Sequence, residues 1–346
     1  MDGSYGSDLS NEEKRKVLKS HGYQMLELIG RGGFAMCYKV LSLQYNTIFV
    51  AKIITFKENK KNSSYVSVHA EISSLTHLIC PNIITIFDYF AESNTFYLIL
   101  EYCTGGSMKG IINKEGRLGL DALINYSTPI LKALQKIHSN NIAHGDIKPD
   151  NILIDGHGRP KLADFGLSQH IGSKMTGDRI GGSLPYLPLE YFRKSTVDPF
   201  MADIWALGVT FYEMATGSLP WSVKSKISMR QSILDGIIII PEYVDSRFSR
   251  IIKMMLNPNP KKRPSAEALL DNPLFSLIKS SNVNFYNRRS YPRMIHTILN
   301  STKPIKPAAS LLVSLLPSLK KHYEENRENR KSLNYHILSG HNTFKY

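Results

Sequence analysis

The sequence predicts an α+β protein made of two packed units, a small, mostly β unit followed by a larger, mostly helical one. With 346 residues, the chain is longer than a usual single domain and can bury a sizeable core. Its apolar residues recur first as short strand-like runs and then, after residue 104, at helical spacing. The loop at Gly105 and Gly106 is therefore the expected hinge, and a cleft between two units is a preferred place for a ligand.

The small unit is predicted over residues 23–103. The apolar runs YQMLELIG, CYKVLSL and IFVAKII alternate with Gly-rich or polar stretches, which predicts a strand meander over residues 23–54. One helix is predicted over residues 65–79, where apolar residues recur every three or four positions until a Pro-Asn pair ends it. The runs IITIFDYF and TFYLILEY then predict two more strands.

The large unit is predicted over residues 104–275. Apolar residues repeat at intervals of three and four in three stretches, which predicts helices at 120–139, 203–216 and 247–256. The sequence contains no internal repeat or low-complexity tract.

Composition is that of an ordinary globular protein, with 42% hydrophobic and 21% charged residues. No apolar run approaches the roughly 20 residues of a membrane span, so no span is expected. The N-terminal extension, residues 1–22, lacks the apolar core of a secretory signal. Three scattered cysteines, Cys37, Cys80 and Cys103, are too few for a disulfide framework or a zinc site. An intracellular protein is expected, in the cytoplasm, with the nucleus left open.

The basic C-terminal extension, residues 276–346, carries twelve Lys or Arg against three Glu, and so holds +9 of the net charge of +14. Such a segment could contact nucleic acid, acidic lipid or an acidic partner. Its charges form no dense block, so a solvated extension is preferred and nucleic acid is not an expected partner. The leucine-rich stretch 310–323 leaves a calmodulin-binding or inhibitory helix open, although Pro317 favours a short helix packed on the large unit.

The stretch GRGGFAMC, from Gly30 to Cys37, lies between two predicted strands, where glycines let backbone N–H groups close over phosphates. Alone it is a weak signal. Lys52 on the next strand and Glu71 on the predicted helix could form an ion pair that fixes the ammonium against a nucleotide's phosphates. Taken singly, each is more often an ordinary surface charge.

The order of the remaining motifs resembles the eukaryotic protein kinase family. GRGGFAMC, VAKI, HGDIKPDN, ADFG and PLE follow one another at the family's spacing, and DIWALGV at 203–209 and KKRP at 261–264 match later landmarks. The resemblance covers about residues 23–275 and implies a two-lobed kinase fold that transfers phosphate from ATP to Ser or Thr of protein substrates. The calcium/calmodulin-dependent and polo-like branches are the most similar in their motifs.

The resemblance implies a role for each motif residue. Asp146 is expected to accept the proton of the attacking hydroxyl, Lys148 to reach the γ-phosphate, and Lys52 to contact the α- and β-phosphates. Asn151 and Asp164 are expected to hold Mg²⁺, a hard cation that prefers oxygen ligands. The nucleotide is expected to bind at Gly30, Arg31, Gly32, Gly33, Phe34, Ala35, Cys37, Val50, Lys52, Glu71, Leu100, Glu101, Cys103 and Leu153.

Other residues match family positions that support the geometry of the site and take no part in the chemistry. Asp203 resembles the buried aspartate that accepts hydrogen bonds from the catalytic-loop backbone, and Arg263 resembles the partner of Glu190. A stacked apolar column that links the lobes is matched by Leu75, Ile86, His144 and Phe165.

The sequence departs from the family at Gly145, where most relatives have Arg. In relatives that Arg pairs with a phosphate on the activation segment, so a phosphate on Ser173 or Thr176 would lack its usual partner, and Lys174 and Arg179 could substitute only in part. Because Asp146 remains, the sequence predicts an active enzyme with altered control. The alternative is that glycine loosens the loop and slows the enzyme.

Ala35 replaces the third glycine of the family's loop, and Pro188-Leu189-Glu190 replaces Ala-Pro-Glu; both are read as structural variation. The position after the hinge that often carries an acid in kinases selecting Arg is Ser107. Asp150 and Glu213 remain as candidate acids for a basic substrate.

Three functional interpretations follow. Lys148 and Ser183 favour a serine/threonine kinase over a tyrosine kinase. A pseudokinase scaffold predicts the loss of Lys52, Asp146, Asn151 or Asp164, and none is lost. A small-molecule kinase is disfavoured because residues 176–215 resemble a peptide-binding segment.

Overall fold

The computed structural model describes residues 10–276 except 33–34, 56–67, 69–70, 73, 77, 79, 93, 171–181, 194 and 223–224. All described residues belong to one compact unit of the chain. Gly33 and Phe34 of the glycine-rich stretch, the activation-segment residues 173–179 and the extension from residue 277 onward lie outside the described residues.

The small lobe is built on a five-stranded antiparallel sheet in the order β1-β2-β3-β5-β4. Its strands are β1 Tyr23–Arg31, β2 Ala35–Ser42, β3 Thr47–Thr55, β4 Ile86–Glu92 and β5 Thr95–Glu101. The predicted meander is confirmed. The run IITIFDYF becomes a strand only from Ile86, because Ile83 forms a parallel bridge with Leu162 and Ile84 N–H donates to the Leu162 carbonyl at 2.8 Å. These residues tie the small lobe to the large one.

The two faces of this sheet have different neighbours. Cys37 pairs with Lys52 across β2 and β3, and Val50 lies two residues before Lys52, so the three side chains share one face. Residues 71–72 and 74–76 are helical and lie on that face, since Glu71 contacts Lys52. The opposite face carries a buried apolar cluster formed by Leu18, Tyr23, Met25, Tyr38, Val40, Phe49, Ala51, Ile53, Phe90, Tyr97 and Ile99.

A helix that the sequence analysis did not predict, α1 Asn11–Ser20, covers this opposite face. Ser10 and Glu13 form a reciprocal capping box, in which Ser10 N–H donates to Glu13 at 2.7 Å and Glu13 N–H donates to Ser10 Oγ at 3.2 Å. Leu18 is fully buried in the cluster, and the Tyr38 hydroxyl donates to Asn11 at 3.0 Å. The N-terminal extension thus contributes a helix to the small lobe.

The large lobe is helical. Its helices are α2 Met108–Glu115, α3 Leu120–Ser139, α4 Leu189–Phe192, α5 Pro199–Thr216, α6 Lys226–Asp235, α7 Ser246–Met255, α8 Ala266–Leu270 and α9 Pro273–Ser276. The predicted helices at 120–139, 203–216 and 247–256 correspond to α3, α5 and α7. Helix α5 begins four residues earlier than predicted because Asp198 caps it, accepting from Phe200 N–H at 2.9 Å, and Pro199 occupies its first turn.

Two short ribbons shape the large-lobe surface that carries the motifs. They pair β6 Ile142–Ala143 with β9 Gln169–His170, and β7 Ile152–Ile154 with β8 Pro160–Leu162. The loop with Asp146 connects β6 to β7, and the segment with Asp164 connects β8 to β9, so both aspartates are held beside the ribbons. This architecture confirms the two-lobed α+β kinase fold. In the part of the chain that the structure describes, no helix has the length and apolar character to cross a bilayer.

Candidate active site

Asp146 lies at the centre of a hydrogen-bond network in the loop between β6 and β7. Its Oδ2 accepts from Lys148 Nζ at 2.7 Å and from Asn151 Nδ2 at 3.0 Å, while its Oδ1 accepts from Ser183 N–H at 2.9 Å. Asn151 Nδ2 also donates to the Asp146 carbonyl at 2.8 Å. The carboxylate is therefore fixed in one orientation by groups from two segments.

Lys148 connects the loop to the segment before α4. Its Nζ donates to Ser183 Oγ at 2.7 Å as well as to Asp146. The side chain of Lys148 is about one-fifth exposed, so its charge faces a place that solvent or a ligand can reach. A carboxylate and an ammonium held this close can take a proton and stabilise negative charge at one reacting centre.

Asp203 on α5 binds the backbone of the loop that carries Asp146. The buried Asp203 carboxylate accepts from His144 N–H at 2.8 Å and from Gly145 N–H at 2.9 Å. It also contacts His138 Nε2 at 2.9 Å. Two successive amides bound to one carboxylate fix the backbone immediately before Asp146. His138, on α3, was not identified from the sequence, which offers no motif that marks it.

His144 is fully buried and packs its ring against Phe165, with ring centroids 4.7 Å apart. Its Nε2 lies 3.1 Å from the Ala163 carbonyl. Burial lowers the pKa of His144 below its usual value although Asp203 and Asp146 act in the opposite direction, so the ring is neutral at pH 7. Leu75 is buried and Ile86 is half-buried, and the complete apolar column remains an expectation from the resemblance.

Lys52 joins both lobes through an ion triad. Its Nζ is 2.8 Å from each Glu71 carboxylate oxygen and 2.9 Å from Asp164 Oδ1. Burial disfavours the ammonium, but the two carboxylates outweigh it and raise the pKa of Lys52 above its usual value. Lys52 is therefore a permanent cation that faces the space between the lobes.

Asp164 has a backbone conformation that suits few residues other than glycine, with φ at 64°. Such strain is retained where the surrounding structure requires it, which is often at a functional site. Burial would raise the pKa of Asp164, but Lys52 outweighs it, and the pKa lies below the usual value. Asp164 is thus ionised at neutral pH and about half exposed.

The residues expected to bind the nucleotide base line the sheet face that carries Lys52. Val50 pairs with Leu100 in β5, and Cys37 pairs with Lys52 in β2. Leu153 on β7 forms a bridge with Ser107 beyond the hinge, so it lies on the large-lobe side. Burial raises the pKa of the Cys37 thiol, which keeps it protonated.

The turn of the glycine-rich stretch is described at its two ends. Gly30 pairs with Cys37, and Arg31 pairs with Met36. Gly32 N–H donates to the Ala35 carbonyl at 2.8 Å, which closes the turn tightly.

The hinge contains an ion pair that the sequence did not suggest. Lys161 on β8 is almost fully buried, and its Nζ lies 3.0 Å from Glu101 Oε2 and 2.9 Å from the Pro81 carbonyl. The Glu101 side chain is therefore directed at Lys161, and any contact of Glu101 with a nucleotide would use its backbone. Cys103, two residues on, is buried.

Asn151 and Asp164 are the residues expected to hold a metal. The Asn151 amide nitrogen faces Asp146, which leaves its oxygen as the available ligand atom. Among the described residues there is no cluster of three or more His, Cys, Asp or Glu side chains that could hold an ion without help. Two oxygen donors suit a hard ion that completes its shell with phosphate or water, as Mg²⁺ does, so the residues fit that ion.

Gly145 has φ at +82°, and the site around it is narrow. A small cavity of about 30 Å³ lies beside it, lined in part by Leu167, Gly182, Leu187 and Pro188. Among the described residues that line this cavity there is no Lys or Arg. The space next to Gly145 is therefore lined by apolar groups together with the Asp146 and Asp203 carboxylates, and these lining residues offer no cation to a phosphate.

A buried ion pair supports the segment from Ser183 to α4. Arg263 donates two hydrogen bonds to the Glu190 carboxylate, both at 2.7 Å, and one to the Met201 carbonyl at 2.9 Å. Its guanidinium also lies over the Trp205 ring, 4.7 Å from the centroid. Leu189 replaces the family's proline without disturbing this bidentate contact.

Two further polar contacts were missed at the sequence level. The buried hydroxyls of Ser74 and Ser168 lie 2.8 Å apart and connect the helical segment of Glu71 to the segment after Asp164. Lys109 on α2 forms an ion pair with the buried Glu213 on α5. Both pairs join residues about a hundred positions apart, so no local pattern could have indicated them.

The comparisons with known proteins agree with this geometry. The family model of the protein kinase domain matches residues 23–275. The chain is 32% identical to mitogen-activated protein kinase kinase kinase YODA of Arabidopsis thaliana over 252 residues, which cover 70% of this chain and 28% of that protein. It is 31% identical to 3-phosphoinositide-dependent protein kinase B of Dictyostelium discoideum, over 80% of this chain and 31% of that protein.

A third relative is CBL-interacting serine/threonine-protein kinase 15 of Arabidopsis thaliana, 28% identical over 76% of this chain and 63% of that protein. The chain therefore belongs to the protein kinase family. The matched segments span about three-tenths of the length of the first two relatives. The relatives come from several branches at similar identity, so they do not single out one branch.

Proposed function

We propose that the protein is an ATP-dependent serine/threonine protein kinase. The observation that carries the proposal is the contact of Lys148 Nζ with both Asp146 and Ser183, beside the ion triad of Lys52, Glu71 and Asp164. Phosphoryl transfer needs positioned charge more than covalent help, and this arrangement supplies a fixed carboxylate and two fixed cations. Protein kinase domains are typical users of ATP, which the family assignment supports.

In the proposed phosphate transfer, each residue of the site has one role. Asp146 accepts the proton of a substrate Ser or Thr hydroxyl as that oxygen forms a bond to the γ-phosphorus, and the bond from phosphorus to the β-γ bridging oxygen breaks to release ADP. Lys148 balances charge on the transferred group, and Lys52 balances charge on the remaining phosphates. Ser183 orients Lys148 and marks the side from which a protein substrate approaches.

The metal expected at the site is Mg²⁺, which when bound would neutralise phosphate charge, with Asn151 and Asp164 as its protein ligands. Changing Asp164 to Ala should weaken nucleotide binding in the presence of Mg²⁺ more than binding in its absence. Equal losses in both conditions would point to a packing effect in place of metal binding. Titration of a fluorescent ATP analogue with and without EDTA measures this independently of turnover.

The pseudokinase alternative is not favoured by any contact at the site. A scaffold has no need to keep Lys52 paired with Glu71, or Asp146 bound to Lys148. All four residues whose loss would mark a pseudokinase are present.

We further propose that activation does not depend on a phosphate read by the catalytic loop. Gly145 offers no cation, and the cavity beside it is lined, among the described residues, by apolar groups and the Asp146 and Asp203 carboxylates with Gly and Ser. The loop is held instead by Asp203, which binds two of its amides. Ser173 and Thr176, the two residues considered for such a phosphate, lie outside the described residues.

Domain limits, partners and compartment are also proposals. The kinase domain is proposed to extend over residues 23–275, flanked by the 1–22 and 276–346 extensions. Three free cysteines and the need for ATP favour an intracellular site. A calmodulin-type regulator of the basic tail stays a hypothesis, since residues 310–323 lie outside the described residues.

The test is transfer of labelled phosphate from ATP to a protein substrate, followed by phosphoamino-acid analysis. The wild type should yield phosphoserine and phosphothreonine, and Asp146→Asn should nearly abolish transfer while its circular dichroism stays unchanged. Mainly phosphotyrosine would contradict the serine/threonine assignment. Undiminished turnover in Asp146→Asn would contradict the assignment of the base.

A further inference from the structure

Glu213 is a buried acid next to the surface on which a protein substrate would lie. It is on α5, and its side chain is 1% exposed. One carboxylate oxygen accepts from the Tyr186 hydroxyl at 2.7 Å, and the other is bound by Lys109 Nζ from α2. Burial and the Glu213 carboxylate raise the pKa of Tyr186 above its usual value, so its hydroxyl remains a donor. Both oxygens of Glu213 are therefore occupied.

A short series of contacts leads from Glu213 to the proposed base. Tyr186 N–H donates to the Ser183 carbonyl at 2.8 Å, and Ser183 N–H donates to Asp146 at 2.9 Å. Tyr186 and Ser183 also line the cavity beside Asp146. Glu213 is thus connected to Asp146 through the Tyr186 side chain and the turn from Ser183 to Tyr186.

The side chain of Lys109 approaches Glu213 from the solvent side. Lys109 is 35% exposed, whereas Glu213 is inaccessible. A buried carboxylate that loses its cation is strongly destabilised, so it attracts whatever positive group can reach it. The ammonium of Lys109 occupies the position through which an arginine or lysine of a bound peptide would have to reach Glu213.

We propose that Lys109 is a specificity-determining residue, which neutralises Glu213 at the edge of the peptide-binding surface and thereby removes selection for a basic residue in the substrate. The proposal rests on the proposed kinase activity. The three positions considered for selection of a basic substrate differ in what they offer. Ser107 has no charge, and its hydroxyl caps α2 by accepting from Gly110 N–H at 3.2 Å. The charge of Glu213 is neutralised by Lys109 within the protein. Asp150 is exposed on the catalytic loop and serves as a comparison.

The experiment uses the full chain and a set of peptides in which a single arginine is moved, one position at a time, around one serine acceptor. For each peptide both kcat/KM and the dissociation constant are measured. Wild type should show no gain from arginine at any position. Lys109→Met should gain about tenfold or more at one position, the effect of one charge-assisted hydrogen bond. Lys109→Thr should show the same gain. This second variant keeps the test valid if Lys109→Met fails to fold.

Two controls make the result specific. Lys114→Met removes an exposed lysine from the same helix and should behave as wild type. The double variant Lys109→Met with Glu213→Gln should lose the gain, since it leaves no buried charge to attract arginine.

The proposal would be overturned by unchanged profiles in both Lys109 variants, by a gain that persists in the double variant, or by a wild-type preference for arginine that Glu213→Gln abolishes. A wild-type preference that Asp150→Asn abolishes would also overturn it, by assigning selection to Asp150. If the wild type binds the peptides but transfers no phosphate, the proposed activity fails, and the dissociation constants still test Lys109.

Discussion

The carbonyl oxygen of Leu167 lies 2.7 Å from the point that a Cβ atom on residue 145 would occupy. Gly145 also has φ at +82°, a conformation that residues with a side chain seldom adopt. Its N–H donates to Asp203 Oδ1 at 2.9 Å. Glycine at this position thus permits a close approach between the catalytic loop and the segment after Asp164, in addition to removing a cation.

Gly145→Ala should therefore destabilise the protein by more than its backbone conformation alone requires. The left-handed conformation costs about 1–2 kcal/mol for an alanine, and the contact with Leu167 adds to this. Gly158→Ala is a matched control, because Gly158 has a similar φ of +77° and no atom within 4 Å of the added Cβ. Urea denaturation of both variants measures the difference. Equal losses of unfolding free energy would show that the loop relieves the contact without cost.

Dephosphorylation tests the second consequence of Gly145. Protein made in bacteria, treated with phosphatase and checked by mass spectrometry, should keep most of its activity, because Gly145 provides no cation that could bind a phosphate on the activation segment. A collapse of activity that is reversed by phosphorylating Thr176 would contradict this and would require a cation from another part of the chain.

Much of the fold follows from the periodicity of apolar residues in the sequence. Much of the candidate site follows from its motifs, because phosphate transfer can use only a few residue types at each position. Periodicity predicted the strands of the sheet approximately and helix α3 to the residue, and the motifs placed Lys52 and Asp164 in one site. Helix α1 was missed although its Ser10 to Glu13 spacing is a capping signal that local reading could have used.

Contacts between distant residues could be predicted only where a family motif marks both partners, as for Glu190 and Arg263. The pair of Lys109 and Glu213 depends on how α2 packs against α5, and the pair of Lys161 and Glu101 on how β8 meets the hinge. Neither has a spacing that could predict it. The sequence also could not predict the direction of a side chain. Glu101 is among the residues expected to bind the nucleotide, but its carboxylate points to Lys161.

Replacement of Lys52 should show that the lysine of the ion triad is needed for phosphate transfer, unlike a lysine in a surface ion pair. Lys52→Met should nearly abolish phosphate transfer and leave the protein folded, because it removes the cation expected to bind the phosphates. Lys39→Met is the matched control on the adjacent strand, where a partly exposed lysine pairs with the exposed Glu27. It should leave turnover unchanged, since an ion pair with a solvent-exposed partner contributes little. Kinetics on purified variants with matching circular dichroism provide the measurement, and near wild-type turnover in Lys52→Met would overturn the assignment.

Helix α1 should be part of the stable small lobe. Leu18→Ala removes a fully buried side chain and should lower the free energy of unfolding by about 2–5 kcal/mol. Lys16 lies on the exposed side of the same helix and pairs with Glu12 one turn away, so Lys16→Ala should have little effect. Thermal and urea unfolding of the two variants decide the matter. Equal stability of Leu18→Ala and wild type would mean that α1 does not depend on this contact.

The ionisation of Asp164 should make the stability of the nucleotide-free protein depend on pH in a defined direction. Its folded pKa is below the usual value because Lys52 outweighs burial. A carboxylate with a lowered folded pKa contributes stability that is complete above its unfolded pKa of about 3.9 and is lost as the pH falls through the folded pKa. The advantage of wild type over Asp164→Asn should therefore be full at neutral pH and shrink on acidification below about pH 4.

The same comparison in a Lys52→Met background provides the control for this pH dependence. Without the ammonium, burial is the largest remaining influence and raises the pKa of Asp164, so the sign should reverse. Wild-type Asp164 should then be less favourable than Asn at neutral pH, and the deficit should diminish as the carboxylate becomes protonated. Urea unfolding of the four proteins between about pH 3 and pH 7 measures the two differences. An identical pH dependence in both backgrounds would show that Lys52 does not control the charge of Asp164.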